Sequence, residues 1–301
     1  MSSLLALVAA GLLLAAVLPS LGLGWRPDLF QHLRLHLLAV AVPFLLLALL
    51  TRRWICSGAL LLAAAMGGAP VAVAWTQLAP TAAADERGTT LRVMTFNLAW
   101  TNQNLEQIER EIRDADPDLL FLTEVGDQHA PLLEHLKARY PNHAWALTDQ
   151  FFGRIPIGKL QRITTEKYAS LWVAESALAG RKLTLLGGHP YPPIGAPWDE
   201  VNQLWFSQAR AELATIDGAV ILMGDLNATP WCERLRNLLE YGKLRRAGGF
   251  LGTWPTNVPG WAGIPIDQVL VSPEFKVVDR HTTSGAGSDH RALVVDLLLP
   301  D

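Results

Sequence analysis

The chain has 301 residues, 50% of them hydrophobic and 18% charged, with 11 Trp, 2 Cys and a net charge of −3. That balance is too apolar for a disordered protein and too poor in cysteine for a disulfide scaffold. Residues 1–84 hold only Arg26, Asp28, Arg34, Arg52 and Arg53, so residues 85–301 carry 21 of the 25 Lys+Arg and 27 of the 28 Asp+Glu. Their net charge of −6 is the wrong sign for a protein that grips DNA non-specifically by neutralising phosphates.

Residues 4–23 form a run of 20 without a charge, and residues 54–75 another of 22. Each is long enough to cross a hydrocarbon core of about 30 Å. Trp25, Trp54 and Trp75 fall at segment edges, where amphipathic rings favour the headgroup level. Residues 35–51 are shorter and include His36 and Pro43; they span if Arg34 and Arg52 snorkel outward, and are otherwise re-entrant or interfacial. The start of the chain lacks the basic residues of a cleaved signal, and further apolar segments follow it. The expectation is therefore a retained, multi-pass anchor over residues 1–80, with three transmembrane helices at about 4–23, 35–51 and 54–75. Arg52 and Arg53 in a short turn favour the cytoplasm there, which places the remaining domain outside it; with only two spans that domain becomes cytoplasmic. Cys56 and Cys232 decide nothing about compartment. A small-residue linker at 81–90 then leads to a domain over 91–301.

In that domain residues 91–97 alternate as a half-buried strand does, and 119–123 and 220–223 are short continuous apolar runs. Further strands are predicted at 169–174, 183–186, 267–271 and 292–299, and helices at 105–115, 130–139, 200–216 and 233–241. Such a mixture forms one α/β domain with room for a large core.

The informative pattern is what ends the strands. LRVMTF runs into Asn97, DLLFLT into Glu124, KLTLLGG into His189, and AVILMG into Asp225 with Asn227 two residues on. Asp267 opens the strand IDQVLVS, and Asp289-His290 precede the last strand. Any one of these residues could cap a turn. Polar groups recurring at so many strand ends point instead to a shared cleft. Glu124, Asp289 and the amide of Asn97 offer oxygens suited to Mg²⁺ or Mn²⁺, with one or two ions left open. His189 and His290 suit phosphate oxygens, and Asp225 with Asn227 suits a base that orients water. Metal-assisted phosphoester hydrolysis uses this division of labour.

The motifs MTFNLAW, FLTEV, GGHPYPP, LMGDLNATPW, IDQVLVS and GSDHRALVVDL, in that order, resemble the endonuclease/exonuclease/phosphatase (DNase I-like) superfamily, and within it the membrane-anchored bacterial members. The resemblance implies a four-layer sandwich of two mixed β-sheets flanked by helices, here preceded by hydrophobic transmembrane helices. It implies Glu124 as main metal ligand helped by Asn97 and Asp289, and Asp225 as the residue activating water. Asn227 would hold the phosphate or metal, His189 a phosphate oxygen, and His290, polarised by Asp267, the transition state or leaving group. FGRIPI resembles the family's S-R-Y-P-I segment, making Arg154 a structural or phosphate-side cation. GGHPYPP departs from the family's usual continuation after the histidine, and Tyr168 and Tyr191 are candidates for a family tyrosine.

Trp100, Trp198, Trp231, Trp254 and Trp261 fall on loops beside these residues and are expected to make an aromatic rim, while Trp145, Trp172 and Trp205 are left to the core. Such a rim suits stacked bases or lipid headgroups. Three functions follow: a nuclease-like phosphodiesterase, a lipid or inositol phosphate phosphodiesterase or phosphatase at the membrane surface, and a non-catalytic binding module. No obligate protein partner is implied.

Overall fold

The computed structural model describes every residue except Met1, Thr165, Lys167 and Tyr168, so the expectation on Tyr168 lies outside the described residues. Helices α1 (Ser2–Val17) and α4 (Trp54–Thr76) open and close the apolar segment. Residues Ser3–Leu21 and Trp54–Thr76 are each long and apolar enough to cross a membrane. Between them, α2 (Trp25–Asp28), a 3-10 turn (Leu29–Gln31) and α3 (Arg34–Leu50) make a bent pair with an angle of 66°, a broken span or a re-entrant element. Leu5, Ala9, Ala41, Ala48, Leu60 and Ala63 pack α1, α3 and α4 together, small residues allowing close approach.

Twelve described strands form two sheets. The first contains β1 (Gly88–Asn97), β2 (Leu119–Thr123), β3 (Asn142–Ala146), β4 (Asp149–Gly153), β11 (Lys276–Thr282) and β12 (Leu293–Pro300), in the order β11-β12-β1-β2-β4-β3. The second contains β5 (Gln161–Arg162), β6 (Ser170–Leu178), β7 (Arg181–His189), β8 (Ala219–Asp225), β9 (Arg245–Arg246) and β10 (Asp267–Val271), in the order β5-β6-β7-β8-β10-β9. Helices α5 (Leu105–Ala115) and α6 (Ala130–Arg139) cover the first sheet, and α7 (Ala196–Leu213) and α8 (Glu233–Tyr241) the second. This is the four-layer sandwich that the sequence implies.

Strand periodicity divides the core. In β1, Leu91 and Val93 point between the sheets toward Phe121, Ile221 and Val269, while Met94 and Phe96 meet Ile108 and Ile112 of α5. In β8, Ile221 and Met223 face the inner core, and Val220 and Leu222 face Trp205 and Leu238. Gly224 has φ +145°, and a Cβ there would lie 2.0 Å from the Gly188 carbonyl oxygen. Only glycine fits where β8 passes β7 just before Asp225.

Most predicted elements appear, with moved ends. The helix expected at 200–216 starts at Ala196, with Pro197 in its first turn, and finishes at Leu213. The hairpin β3–β4 and the strand β11 were not expected. Their sequences NHAWA, DQFFG and KVVDRHT lack a clean apolar alternation, and pairing with β2 and β12 holds them in place. The expected linker at 81–90 is not a free tether. Thr81 bridges Val277, Ala82 N donates to Val277 O, and β1 already begins at Gly88.

Candidate active site

Parallel pairing places the candidate residues together. Asn97 pairs with Thr123 in the parallel β1–β2 ladder, so Asn97 and Glu124 emerge at one end. The parallel β7–β8 ladder and the antiparallel pair Asp267↔Asp225 bring His189, Asp225 and the start of β10 to the facing edge of the other sheet. Glu124 (φ +53°), Asn227 (φ +48°) and Ala99 (φ +60°) all hold left-handed backbone here. Such conformations cost about 1–3 kcal/mol each and are held by their surroundings.

At the centre is Asp225, 2% exposed. Its Oδ1 accepts from Asn227 N at 2.9 Å, and its Oδ2 accepts from Asn97 Nδ2 at 3.1 Å. His290 Nε2 lies 3.6 Å and His189 Nε2 3.9 Å from that Oδ2, and His189 Nε2 is 3.7 Å from Glu124 Oε1. His290 Nδ1 donates to Asp267 Oδ2 at 2.9 Å, which fixes the ring and its outward nitrogen. Burial pushes the Asp225 carboxyl up to about 6; the positive field of His290 opposes that rise and Asp267 adds to it. At His290 burial works against the charged ring, but Asp267 and Asp225 outweigh it and hold the imidazolium up to about 10.

Glu124, His189 and Asp225 are close enough to share one ion, and so are Asp225, Asp267 and His290. Asn97 and Asp289 were expected as ligands through their oxygens, and the observed arrangement differs. Asn97 Oδ1 accepts from Ala99 N at 3.0 Å inside its own turn, while Nδ2 bridges Glu124 Oε1 (2.9 Å) and Asp225. Asn97 therefore clamps the two carboxylates. Asp289 lines the same cavity but belongs to neither cluster, its Oδ2 accepting from Trp254 Nε1 at 3.1 Å. A divalent cation still fits. Four carboxylates (Glu124, Asp225, Asp267, Asp289) face one imidazolium, His290, and Asp267 Oδ1 is buried without a partner.

These groups form the floor of a cavity of about 680 Å³. Trp100, Trp198 and Trp254 line it as expected, and Tyr191 joins them, its ring 5.7 Å from that of Trp198. Two expected substrate contacts lie elsewhere. Trp231 is 1% exposed and stacks on Phe250, which stacks in turn on Trp75 of α4. Arg154 pairs with Asp116 and Asp118 at the opposite end of β2. The five residues of β2 lie between Asp118 and Glu124, so the two are six residue steps apart, about 20 Å along the strand. Trp261 is exposed on a 3-10 turn (Gly260–Ala262) outside the cavity lining.

Sequence reasoning missed two contributions. Asp149 is fully buried behind β6–β7, accepting from Ser170 Oγ and from Trp172 Nε1 at 3.0 Å, and burial raises its carboxyl. Leu29, His32 and Leu33, from the N-terminal apolar segment, also line the cavity. The signal available for the second was the polar group Arg26, Asp28, Gln31, His32 and Arg34 between the apolar runs at 4–23 and 35–50.

The family model described as Endonuclease/Exonuclease/phosphatase family matches residues 94–290. The chain belongs to this family. No curated relative matches the sequence. Among solved structures, an endonuclease/exonuclease/phosphatase from Beutenbergia cavernae DSM 12333 is 23% identical with TM-score 0.57, covering 71% of this chain and 72% of its own. Truncated Caenorhabditis elegans TDP2 (20%, TM-score 0.55) covers 71% of this chain and 100% of its own. Sphingomyelinase C from Streptomyces griseocarneus (17%, TM-score 0.55) covers 69% and 99%. At these identities the likeness establishes the fold.

Proposed function

We propose that the chain is a membrane-anchored, divalent-metal-dependent phosphodiesterase, nuclease-like in its chemistry, with α1, the α2–α3 pair and α4 as a multi-pass anchor and the catalytic domain outside the cytoplasm. The observation that carries the catalytic reading is the Asp267–His290–Asp225 line beside Glu124. One buried acid is poised near neutrality and the adjoining imidazole is held charged.

In this reading Asp225 accepts a proton from the attacking water as the new O–P bond forms, and Asn227 and Asn97 fix its two oxygens. His290 gives its proton to the departing alcohol as the old P–O bond breaks, and His189 meets a phosphoryl oxygen. The proton on Asp225 then returns to His290 across the 3.6 Å gap, restoring both groups. Glu124 would hold the Mg²⁺ or Mn²⁺ ion, with Asp289 on the same cavity wall. That ion supplies charge stabilisation to the phosphoryl oxygens. A nuclease-like and a lipid-directed enzyme share these steps and differ in what enters the cavity.

The test is hydrolysis of bis(4-nitrophenyl) phosphate by the full chain in detergent, with Mg²⁺, with Mn²⁺ and with EDTA. Glu124→Gln should lower metal-dependent turnover at least about 100-fold, while His290→Ala should do so on an alkyl diester, whose alkoxide leaves with a proton, and much less on this substrate, whose phenolate leaves without one. Wild-type turnover in Glu124→Gln refutes the site assignment, whereas absence of metal-dependent turnover in the unmodified chain leaves the binding-module reading.

A further inference from the structure

One wall of the cavity comes from outside the catalytic domain. Leu29, His32 and Leu33 belong to the bent connection between α1 and α3, and they face the space above Glu124, Asp225 and His290. This connection is fastened to the domain along its length. His32 Nδ1 meets Thr229 Oγ1 at 3.3 Å, and Glu233 N donates to Gln31 Oε1 at 3.3 Å. Arg234 lies 2.6 Å from Asp199 and 3.8 Å from Asp28, and His36 Nε2 donates to Ala262 O at 2.7 Å. The end of α4 is fastened too, by Arg246 Nη2 donating to Ala74 O at 2.7 Å and by the Trp75–Phe250 stack at 5.1 Å.

With both edges of the anchor docked, the cavity opens where the apolar helices meet the domain. Its upper lining is apolar: Leu29, Leu33, Pro192, Pro193, Ile194 and Trp198. Ile194 is 55% and Trp198 46% exposed, and Trp261, 89% exposed, stands beside the first turn of α3. An apolar rim continuous with membrane-spanning helices is suited to the bilayer interface. The described lining holds no Lys or Arg. Nearby, Arg246 is buried against the end of α4 and Arg234 is committed to Asp199 and Asp28. A channel for a nucleic acid strand tracks the backbone with basic residues.

Resting on the phosphodiesterase reading, we infer that the substrate is a membrane lipid phosphodiester. Its phosphate reaches Glu124, Asp225 and His290, while the first methylenes of its chains lie against Leu29, Leu33, Ile194 and Trp198. Water adds OH to phosphorus, one P–O ester bond breaks, and the departing alcohol takes the proton.

The experiment uses the full chain in detergent with Mn²⁺ and four probes: dibutanoyl- and dihexanoyl-phosphatidylglycerol, a single-stranded oligodeoxynucleotide, and bis(4-nitrophenyl) phosphate. Each methylene buried raises binding about fourfold, so the six-carbon lipid should exceed the four-carbon lipid in kcat/KM at least about fivefold. Leu29→Asp and Leu33→Asp should each bring that ratio below about two, and Leu33→Met should keep it. Because the ratio is taken within each variant, loss of folded protein cancels. A wild-type ratio under fivefold, a ratio unchanged by the Asp variants, or faster turnover of the oligonucleotide than of either lipid overturns the inference. Failure to hydrolyse any of the four probes overturns the phosphodiesterase reading itself; hydrolysis without chain-length dependence overturns only the lipid assignment.

Discussion

Asp225→Asn should make the metal-free protein more stable and nearly inactive. Burial lifts the Asp225 carboxyl from its ordinary 3.8 to about 6, a difference equivalent to about 3 kcal/mol. Because the folded value is the higher one, the fold prefers the protonated acid, and stability falls as pH rises from about 4 to about 6 and stays reduced above that. At pH 8 wild type bears the full penalty. Asparagine removes the charge and keeps an oxygen for Asn227 N, but it loses the acceptor for Asn97 Nδ2, worth about 1 kcal/mol. The net gain is about 1–2 kcal/mol, or roughly 2–8 °C in Tm for a domain of this size. The assay is a tryptophan-fluorescence melt of the full chain in detergent with EDTA, at pH 8 and pH 4.5, beside turnover with Mn²⁺. The gap in Tm should close at pH 4.5, and turnover should fall by about 10²–10⁴. A variant that melts below wild type at pH 8, or a gap independent of pH, would refute the reasoning that ionised Asp225 is the strained member of the site.

Asp267→Asn removes the carboxylate that holds His290 charged, so the alkaline limb of the pH–rate profile, near pH 10 in wild type, should move down by roughly one to three pH units. An unmoved limb argues against His290 as the proton donor. Gly187→Ala should destabilise by about 1–3 kcal/mol, since its Cβ would lie 2.4 Å from Phe121 and 2.5 Å from Phe151 between the sheets, and equilibrium unfolding checks this. Trp231→Ala should cost about 3–5 kcal/mol as a core truncation, whereas Trp198→Ala should leave Tm within about 1 °C and raise KM. Equal effects on Tm would mean that the two tryptophans do not divide into core and cavity wall.

The candidate site was legible before any tertiary information because parallel ladders bring strand C-termini to one edge. Asn97, Glu124, His189 and Asp225 each follow an apolar strand, and that position already implies a common cleft. The family resemblance, rather than residue type, implied the Asp267–His290 pair, which the structure shows at 2.9 Å. Roles within the cluster were less legible. An asparagine can offer either face of its amide, and only packing shows that Asn97 turns its NH₂ to both carboxylates and its oxygen to Ala99. Trp231 and Trp198 both sit on loops of similar composition, yet one fills the stack under Phe250 and the other lines the cavity.

The sequence by itself determined the apolar N-terminal segment, the alternation of buried strands and helices, and the polar strand ends, because periodicity and composition are local properties. What tertiary structure alone decided is how anchor and domain meet. Arg154 is carried about 20 Å from the site by the length of β2, and Leu29, His32 and Leu33 are carried into its wall by contacts with Thr229, Glu233 and Arg234 some 200 residues away. Contacts across such separations depend on the packing of whole elements, which leaves no periodic trace in either segment.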